Sequence, residues 1–227
     1  MSVSDRTAET TSRLEVPSPR ESAEVAPPVE AAGTAAAPTG DPGVIGLPAF
    51  VVGSVALGLV DINFAPVAAA GAAIPIISTA TSVGLLIAAI WAVRLNQNIV
   101  AGVFGVFFGF WFSFAAVSVG LGHSWWAVLP AGVARSVELF VIAWLVVMVL
   151  LTVATLRLPA IYPALMVLVD LALVLLLIAT VQASVSLTKV AGWVILAFAA
   201  VGAYMYLSSL STATGGRPYP MGPVLMK

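Results

Sequence analysis

The sequence has very little of the chemistry on which soluble enzymes and nucleic-acid-binding proteins depend. It contains no cysteine and one histidine, and Asp, Glu, Lys and Arg together make up 8% of its 227 residues. The lack of cysteine excludes disulfides, thiolate metal sites and a cysteine nucleophile, and a single histidine argues against a histidine-based metal site. The few basic residues are scattered, which argues against a nucleic-acid partner. No phosphate-binding loop, paired-histidine motif or serine nucleophile elbow occurs, so we expect neither enzyme activity nor a cofactor or metal.

What the sequence has instead is apolar residues, which form 61% of the chain. They are concentrated in six runs, each long enough to cross a hydrocarbon core of about 30 Å as a helix. The runs lack the alternation of barrel strands, so the expected fold class is an all-α membrane protein with six transmembrane helices in the lipid bilayer. The predicted spans are residues 44–64, 72–93, 99–119, 137–156, 159–181 and 190–210.

The two ends of the chain differ in composition from the predicted six-helix membrane domain, residues 42–212. Residues 1–41 hold seven acidic residues and three arginines, are rich in Ala and Pro, and lack aromatic residues, so we predict a disordered acidic tail. Residues 213–227 are predicted to form a short C-terminal tail. Most Lys and Arg residues fall on one side of the membrane if both termini are cytoplasmic. This pattern predicts a multi-pass protein of the plasma membrane with both termini in the cytoplasm.

Asp170 is the charged residue that most needs an explanation, because it falls in the middle of the fifth run. An aspartate that faced lipid at this depth would cost at least about 2.5–3.5 kcal/mol, so its carboxyl should face the bundle interior, a pathway or a neighbouring subunit. Two interpretations are open. One is a site for protons or a polar substrate, and the other is a structural hydrogen bond to a neighbouring helix. The predicted partners at similar depth are Ser54, Ser82 and Ser113.

Two further pairs of residues have informative spacing. Arg135 and Glu138 lie three residues apart at the start of the fourth run, which places them on one helical face and predicts an ion pair. Gly105 and Gly109 lie four residues apart in the third run. This spacing predicts a close approach of two helices, either within one subunit or between subunits.

Short motifs in the sequence resemble those of a known family. Residues 41–47 read DPGVIGL, where the family has Asn-Pro-Ala-Pro-Leu-Gly-Leu, and the positions that carry the match are Asp41, Pro42, Gly46 and Leu47. Residues 191–193 read AGW at the start of the last helix, and residues 216–223 read GRPYPMGP after it. In these features the sequence resembles the acetate uptake transporters, also called the succinate–acetate permease or GPR1/FUN34/YaaH family.

The resemblance implies six-helix subunits that assemble as homohexamers, each subunit holding its own narrow pathway for acetate. In the family this pathway is pinched by one side chain from each of helices one, three and five, and the matching positions here are Phe50, Phe107 and Val169. Counted from the predicted helix starts at ~1.5 Å per residue, they lie roughly 9, 12 and 15 Å deep. This predicts one hydrophobic layer, with Asp170 beside it. The chain departs from the family in lacking its helix-two Tyr-Gly-Gly-x-x-Gln pattern and in having Phe107 in place of the constriction tyrosine.

The function that these observations favour is a transmembrane transporter or channel for acetate or a similar small monocarboxylate. Asp170 suggests a proton-coupled version, in which its carboxyl alternates between protonation states. One alternative is a channel for a small neutral or cationic solute such as ammonia, urea or an amide, since an ionised Asp170 would repel acetate. The other alternative is a non-transporting membrane scaffold or accessory subunit whose pathway has closed.

Overall fold

The structure is a computed structural model that describes residues 39–226. Residues 1–38 and Lys227 lie outside the described part, so most of the segment predicted as an acidic tail is not covered. Six helices are long and apolar enough to cross a membrane, which confirms the predicted all-α, multi-pass class, and the described residues form no strand. The helices are α1 Gly43–Asp61, α2 Ala68–Arg94, α3 Asn98–Gly122, α4 Val133–Thr155, α5 Ile161–Gln182 and α6 Val185–Ala213.

Each predicted span falls on one helix, and the largest difference is in α6. This helix begins at Val185 and ends at Ala213, well beyond the predicted 190–210. The physical reason is local capping, which hydropathy does not detect. Ala183 adopts a left-handed conformation that ends α5, and the Ser184 hydroxyl accepts a hydrogen bond from the Leu187 N–H at 3.4 Å. A serine that caps the first turn stabilises a helix start in this way.

The second helix is irregular over its first half. It begins with a 3-10 turn, and residues Ile76–Thr81 form a π-helical segment directly after Pro75. Proline has no backbone N–H to donate, which favours such a local change of helix type. Side-chain hydroxyls bond the carbonyls of this region. Thr79 donates to the Pro75 carbonyl at 2.6 Å, and Ser82 donates to the Ile77 carbonyl at 2.8 Å.

The first and last helices form the most extensive helix pair in the bundle. Two glycines make this close approach possible. A Cβ on Gly192 would lie 2.8 Å from the Cβ of Asp61, and a Cβ on Gly58 would lie 3.1 Å from the Gly192 carbonyl oxygen. Small residues at a helix crossing allow the two backbones to approach and gain dispersion contacts where no hydrophobic effect operates. This contact fixes α6 beside α1, so that side chains of both helices reach the same interior space.

The chain after α6 packs back against the end of the bundle. We call residues 214–226 the C-terminal segment. The Ala160 N–H donates to the carbonyl of Pro223 at 2.9 Å, and the Met226 N–H donates to the carbonyl of Leu156 at 3.1 Å. The C-terminal segment therefore supplies an acceptor to the start of α5, where backbone N–H groups have no partner within the helix, and it bridges the turn between α4 and α5.

Candidate functional site

A cavity of about 160 Å³ lies at the end of the bundle where α1, α3 and α5 begin. Its walls come from the first turns of these three helices, from Leu85 of α2, and from the last turns of α4 and α6. Most of the lining side chains are apolar. The polar groups on its walls are those of Asp41, Thr155, Tyr162 and Ser209. The cavity is therefore an apolar vestibule with a few hydroxyls and one carboxylate.

Two phenylalanines lie at the inner limit of this cavity. Phe50 of α1 and Phe107 of α3 are 3% and 4% exposed, and their ring centroids are 4.9 Å apart in an edge-to-face arrangement. Both side chains line the cavity and also line a second, smaller space farther along the bundle. The ring pair therefore separates the two spaces. Edge-to-face packing is a favourable geometry for aromatic rings, so this contact stabilises the separation.

The second space is a void of about 20 Å³ that contains the third residue of the predicted layer. Val169 of α5 lines it together with Phe50 and Phe107, so the structure brings all three residues to one interior space. Phe50 and Phe107 line the cavity as well, whereas Val169 lines only the void. The void is close to the smallest volume that holds a water molecule, so the interior space is narrow at this point.

A further aromatic side chain contributes to the site and was missed by the sequence reasoning. Phe198 of α6 lines the void, and its ring centroid lies 5.6 Å from that of Phe50. The family resemblance implies no constriction residue on helix six, and the apolar pattern of α6 does not distinguish Phe198 from its neighbours. The one local signal is Gly202, one turn later, where a Cβ would lie 3.2 Å from the Phe50 ring. This glycine leaves room for the ring.

Asp170 lies beside the void rather than in it. Its side chain is half-buried between α4 and α5, where Thr152 donates a hydrogen bond to Oδ2 at 2.6 Å. The other carboxyl oxygen, Oδ1, is buried and has no partner among the described residues. Asp170 lines neither the cavity nor the void, although the preceding residue, Val169, does line the void. The hydrogen-bond partner of the carboxyl is therefore Thr152, and the three serines that the sequence suggested as partners were wrong.

The three predicted partners of Asp170 use their hydroxyls within their own helices. Ser54 donates to the Phe50 carbonyl at 2.7 Å, and Ser113 donates to the Gly109 carbonyl at 2.6 Å. Ser82 donates to the carbonyl of Ile77, as described above. Back-bonding of this kind is common for serine and threonine in helices, and it was the competing geometry that the sequence reasoning ignored.

The two residue pairs with informative spacing, Arg135 with Glu138 and Gly105 with Gly109, differ in how far the structure matches the expectation. Arg135 and Glu138 form the expected ion pair at the start of α4, with Arg135 exposed and Glu138 largely buried. Gly109 packs against Trp144 of α4 within the subunit, whereas Gly105 has open space beside it. No group of three or more His, Asp or Glu side chains within residues 39–226 is arranged to hold a metal ion.

Comparisons with known proteins identify the family and the fold. The model of the GPR1/FUN34/yaaH family matches residues 24–216. The chain belongs to this family. A solved structure described as "Structure of the bacterial acetate channel SatP" has a similar fold, with a TM-score of 0.72 and 17% sequence identity. The match covers 82% of this chain and 100% of the other. No curated protein matched the sequence.

The first-helix motif has a clear structural basis in this member of the GPR1/FUN34/YaaH family. The Asp41 carboxylate accepts a hydrogen bond from the Gly43 N–H at 2.8 Å, and a negative charge at this position stabilises the N-terminus of α1. Pro42 is buried at the helix start, and Leu47 lines the cavity. A Cβ at Gly46 would overlap the Phe104 ring of α3. The motif therefore starts α1 and holds it close to α3, which sets the positions of Phe50 and Phe107.

Proposed function

We propose that this protein is a channel or transporter for acetate or a similar small monocarboxylate in the plasma membrane. The observation that carries the proposal is the line formed by a cavity of about 160 Å³, the Phe50–Phe107 ring pair and a void of about 20 Å³ inside one subunit. The solved bacterial protein with a similar fold is described as an acetate channel. A passage for a small solute, rather than a catalytic centre, is the arrangement that these features favour.

The proposed constriction consists of Phe50, Phe107 and Val169. Their side chains are apolar, so the narrow point offers no hydration to a charged solute. A hydrophobic constriction of this kind can gate by excluding water. It favours small solutes whose apolar part replaces water against the rings, and a monocarboxylate with a short alkyl group has this character.

Proton coupling is the finer part of the proposal, and it rests on Asp170. The carboxyl lies at mid-bundle next to Val169, accepts one hydrogen bond from Thr152, and retains an oxygen without a partner among residues 39–226. Charged groups in the membrane interior are costly and often serve proton transfer. We propose that Asp170 exchanges a proton beside the constriction and does not contact the carboxylate directly.

We also propose that the protein forms a homo-oligomer, with a hexamer as the expected state. The apolar surface of α4 supports an association within the bilayer, since Leu139, Leu150 and Val153 are at least 60% exposed outside the bundle. Each subunit would keep its own pathway, because the cavity and the void are both lined by helices of one chain. Native mass spectrometry of the detergent-solubilised protein gives the subunit number directly.

The experiment that tests the transport function is uptake by proteoliposomes. We expect labelled acetate to enter much faster than in empty liposomes, and labelled methylamine and urea to enter slowly. Faster uptake of methylamine or urea than of acetate would replace the proposal with a channel for cationic or neutral solutes. Absence of flux for all three solutes would favour a non-transporting membrane scaffold.

A matched pair of variants on α5 links any flux to the proposed pathway. Val169 lines the void, whereas Val167, two residues earlier, is 54% exposed on the outside of the bundle. Val169→Phe should fill the void and reduce acetate flux, and Val167→Phe adds the same bulk outside the pathway and should leave the flux unchanged. Equal flux in the two variants, with both folded, would mean that the solute does not pass Val169.

A further inference from the structure

The cavity of about 160 Å³ has a single charged side chain on its walls, and that side chain is Asp41. The other lining residues are apolar or carry only a hydroxyl, and no lysine or arginine of the described part of the chain is among them. Asp41 is also exposed to solvent, which places it at the mouth of the cavity. A solute that enters here therefore passes a carboxylate before it reaches the Phe50–Phe107 ring pair.

Contacts on both sides of Asp41 hold this carboxylate in place. Its Oδ1 accepts the hydrogen bond from the Gly43 N–H at 2.8 Å. The preceding residue, Gly40, packs against Trp91 of α2, where a Cβ would lie 2.6 Å from the indole ring. The Gly40 carbonyl accepts a hydrogen bond from the Gln97 amide at 3.3 Å. The chain at the mouth is thus tied to α1, to α2 and to the turn between α2 and α3, so the position of the charge is fixed.

The absence of a side chain at Gly43 leaves a gap beside the carboxylate. A Cβ on Gly43 would lie 2.8 Å from Oδ1 of Asp41, 3.1 Å from Oγ of Ser209 and 3.2 Å from Cδ1 of Leu47. Gly43, Leu47 and Ser209 all line the cavity. Oδ1 of Asp41 therefore lies among groups that form the cavity wall.

No countercharge is paired with this carboxylate. Among residues 39–226 the ion pair that forms is Arg135–Glu138, and Asp41 is not part of it. A charge in a cleft with apolar walls acts strongly on an entering ion, because walls of low dielectric constant concentrate the field in the cleft. Asp41 therefore makes the electrostatic potential at the mouth more negative, and it can act on a solute without touching it.

From this arrangement we propose that Asp41 sets the charge preference of the pathway and selects monocarboxylates against dicarboxylates. The proposal rests on the proposed function and narrows its substrate class. The repulsion between Asp41 and an entering anion is proportional to the charge of the anion. A dianion is destabilised at the mouth twice as much as a monoanion, and a neutral acid is not destabilised by this term.

Uptake of two acids of equal carbon number by proteoliposomes tests the proposal. Malonate and propionate both have three carbons, and at neutral pH malonate carries one more negative charge. Asp41→Asn removes the charge and keeps an oxygen that can accept the Gly43 hydrogen bond. At low ionic strength we expect this variant to raise the malonate-to-propionate ratio about 3- to 10-fold, as removal of one charge several ångströms from the solute predicts. Asp41→Glu keeps the charge and should keep the wild-type ratio. The same ratio in wild type and in folded Asp41→Asn would overturn the proposal.

The salt dependence of the wild-type protein is a second measurement, which does not require Asp41→Asn to fold. Raising the ionic strength from about 0.01 M to about 1 M shortens the screening length from about 30 Å to about 3 Å. We expect the malonate-to-propionate ratio to rise several-fold in wild type and in Asp41→Glu, and to stay constant in Asp41→Asn. A wild-type ratio that does not change with salt would overturn the role of Asp41.

Methylamine uptake separates this proposal from the proposed function. Propionate uptake with a ratio that neither Asp41→Asn nor salt changes would support monocarboxylate transport and overturn the role of Asp41. Wild-type protein that passes methylamine but not propionate would refute monocarboxylate transport. In that case a fall of methylamine uptake in Asp41→Asn would support a charge preference set by Asp41, and unchanged uptake would overturn it. Absence of uptake for all three solutes would overturn both proposals.

Discussion

Phe107 is the side chain whose removal should open the pathway most directly. It lines both the cavity and the void, it is 4% exposed, and its ring contacts that of Phe50 with centroids 4.9 Å apart. Phe107→Ala removes one half of this ring pair and joins the two spaces. We expect the variant to pass bulkier monocarboxylates than the wild type does.

The size of the effect follows from the volumes. Replacing Phe by Ala frees a space on the order of 100 Å³, and at about 24 cal/mol per Å³ an empty cavity of that size costs about 2.4 kcal/mol. The same space is several times the present void of about 20 Å³, so the narrow point widens from the size of a water molecule to that of a small organic acid. Because the new space adjoins the existing cavity, solvent can enter it, and the stability cost should be below the ~3–5 kcal/mol typical of a sealed core.

The assay compares the uptake of labelled butyrate and acetate by proteoliposomes. Phe107→Ala should raise the butyrate-to-acetate ratio several-fold. Phe108→Ala is the matched control, since Phe108 is the next residue on α3, stacks on Phe112 and lines neither interior space. The reasoning is refuted if folded Phe107→Ala keeps the wild-type ratio, or if Phe108→Ala changes the ratio as much.

Three further experiments test other parts of the structure. If Asp170 exchanges protons, Asp170→Asn should abolish the pH dependence of acetate uptake and leave the melting temperature unchanged. Thr152→Val should keep the pH dependence. A lower melting temperature with an unchanged pH profile in both variants would show that the Asp170 carboxyl makes only a structural hydrogen bond. Gly202→Val should displace the Phe50 ring, cost about 1–3 kcal/mol by overpacking and lower acetate flux, whereas unchanged flux would place the ring outside the pathway. Deleting residues 214–227 removes the carbonyls that bond the α4–α5 turn and should lower the melting temperature, and an unchanged value would show that this contact contributes nothing to stability.

Hydropathy was sufficient to predict the helices of this protein, because a lipid environment permits few alternatives. A run of about 20 apolar residues must satisfy its backbone hydrogen bonds internally, so it must form a helix. The same argument does not determine helix ends, as the start of α6 at Val185 shows. There the decisive interaction is the Ser184 cap, a single polar contact that an apolar average cannot reveal.

The site was predicted less completely than the fold, and for a physical reason. Phe50 and Phe107 were predicted from the family resemblance, whereas Phe198 and Trp111 line the void because of the way the helices pack against one another. Every face of a membrane helix is apolar, so the sequence gives no period that separates interior from lipid-facing positions. Asp170 was recognised from its position in an apolar run, but its partner Thr152 could not be predicted, because that contact depends on how α4 and α5 pack.

The positions of the unpaired polar atoms provide a separate argument for a function in the interior of the bundle. Four buried side-chain atoms within residues 39–226 have no partner, and they belong to Asp61, Thr81, Trp111 and Asp170. Trp111 lines the void, Asp170 follows the void-lining Val169, and Asp61 ends α1 beyond the void. Stability alone disfavours each of these groups, because a leucine or phenylalanine in the same place would avoid the cost of an unsatisfied polar atom. For Asp170, whose carboxyl lies next to the void-lining Val169, we propose that proton exchange is the function that offsets the cost of leaving Oδ1 without a partner.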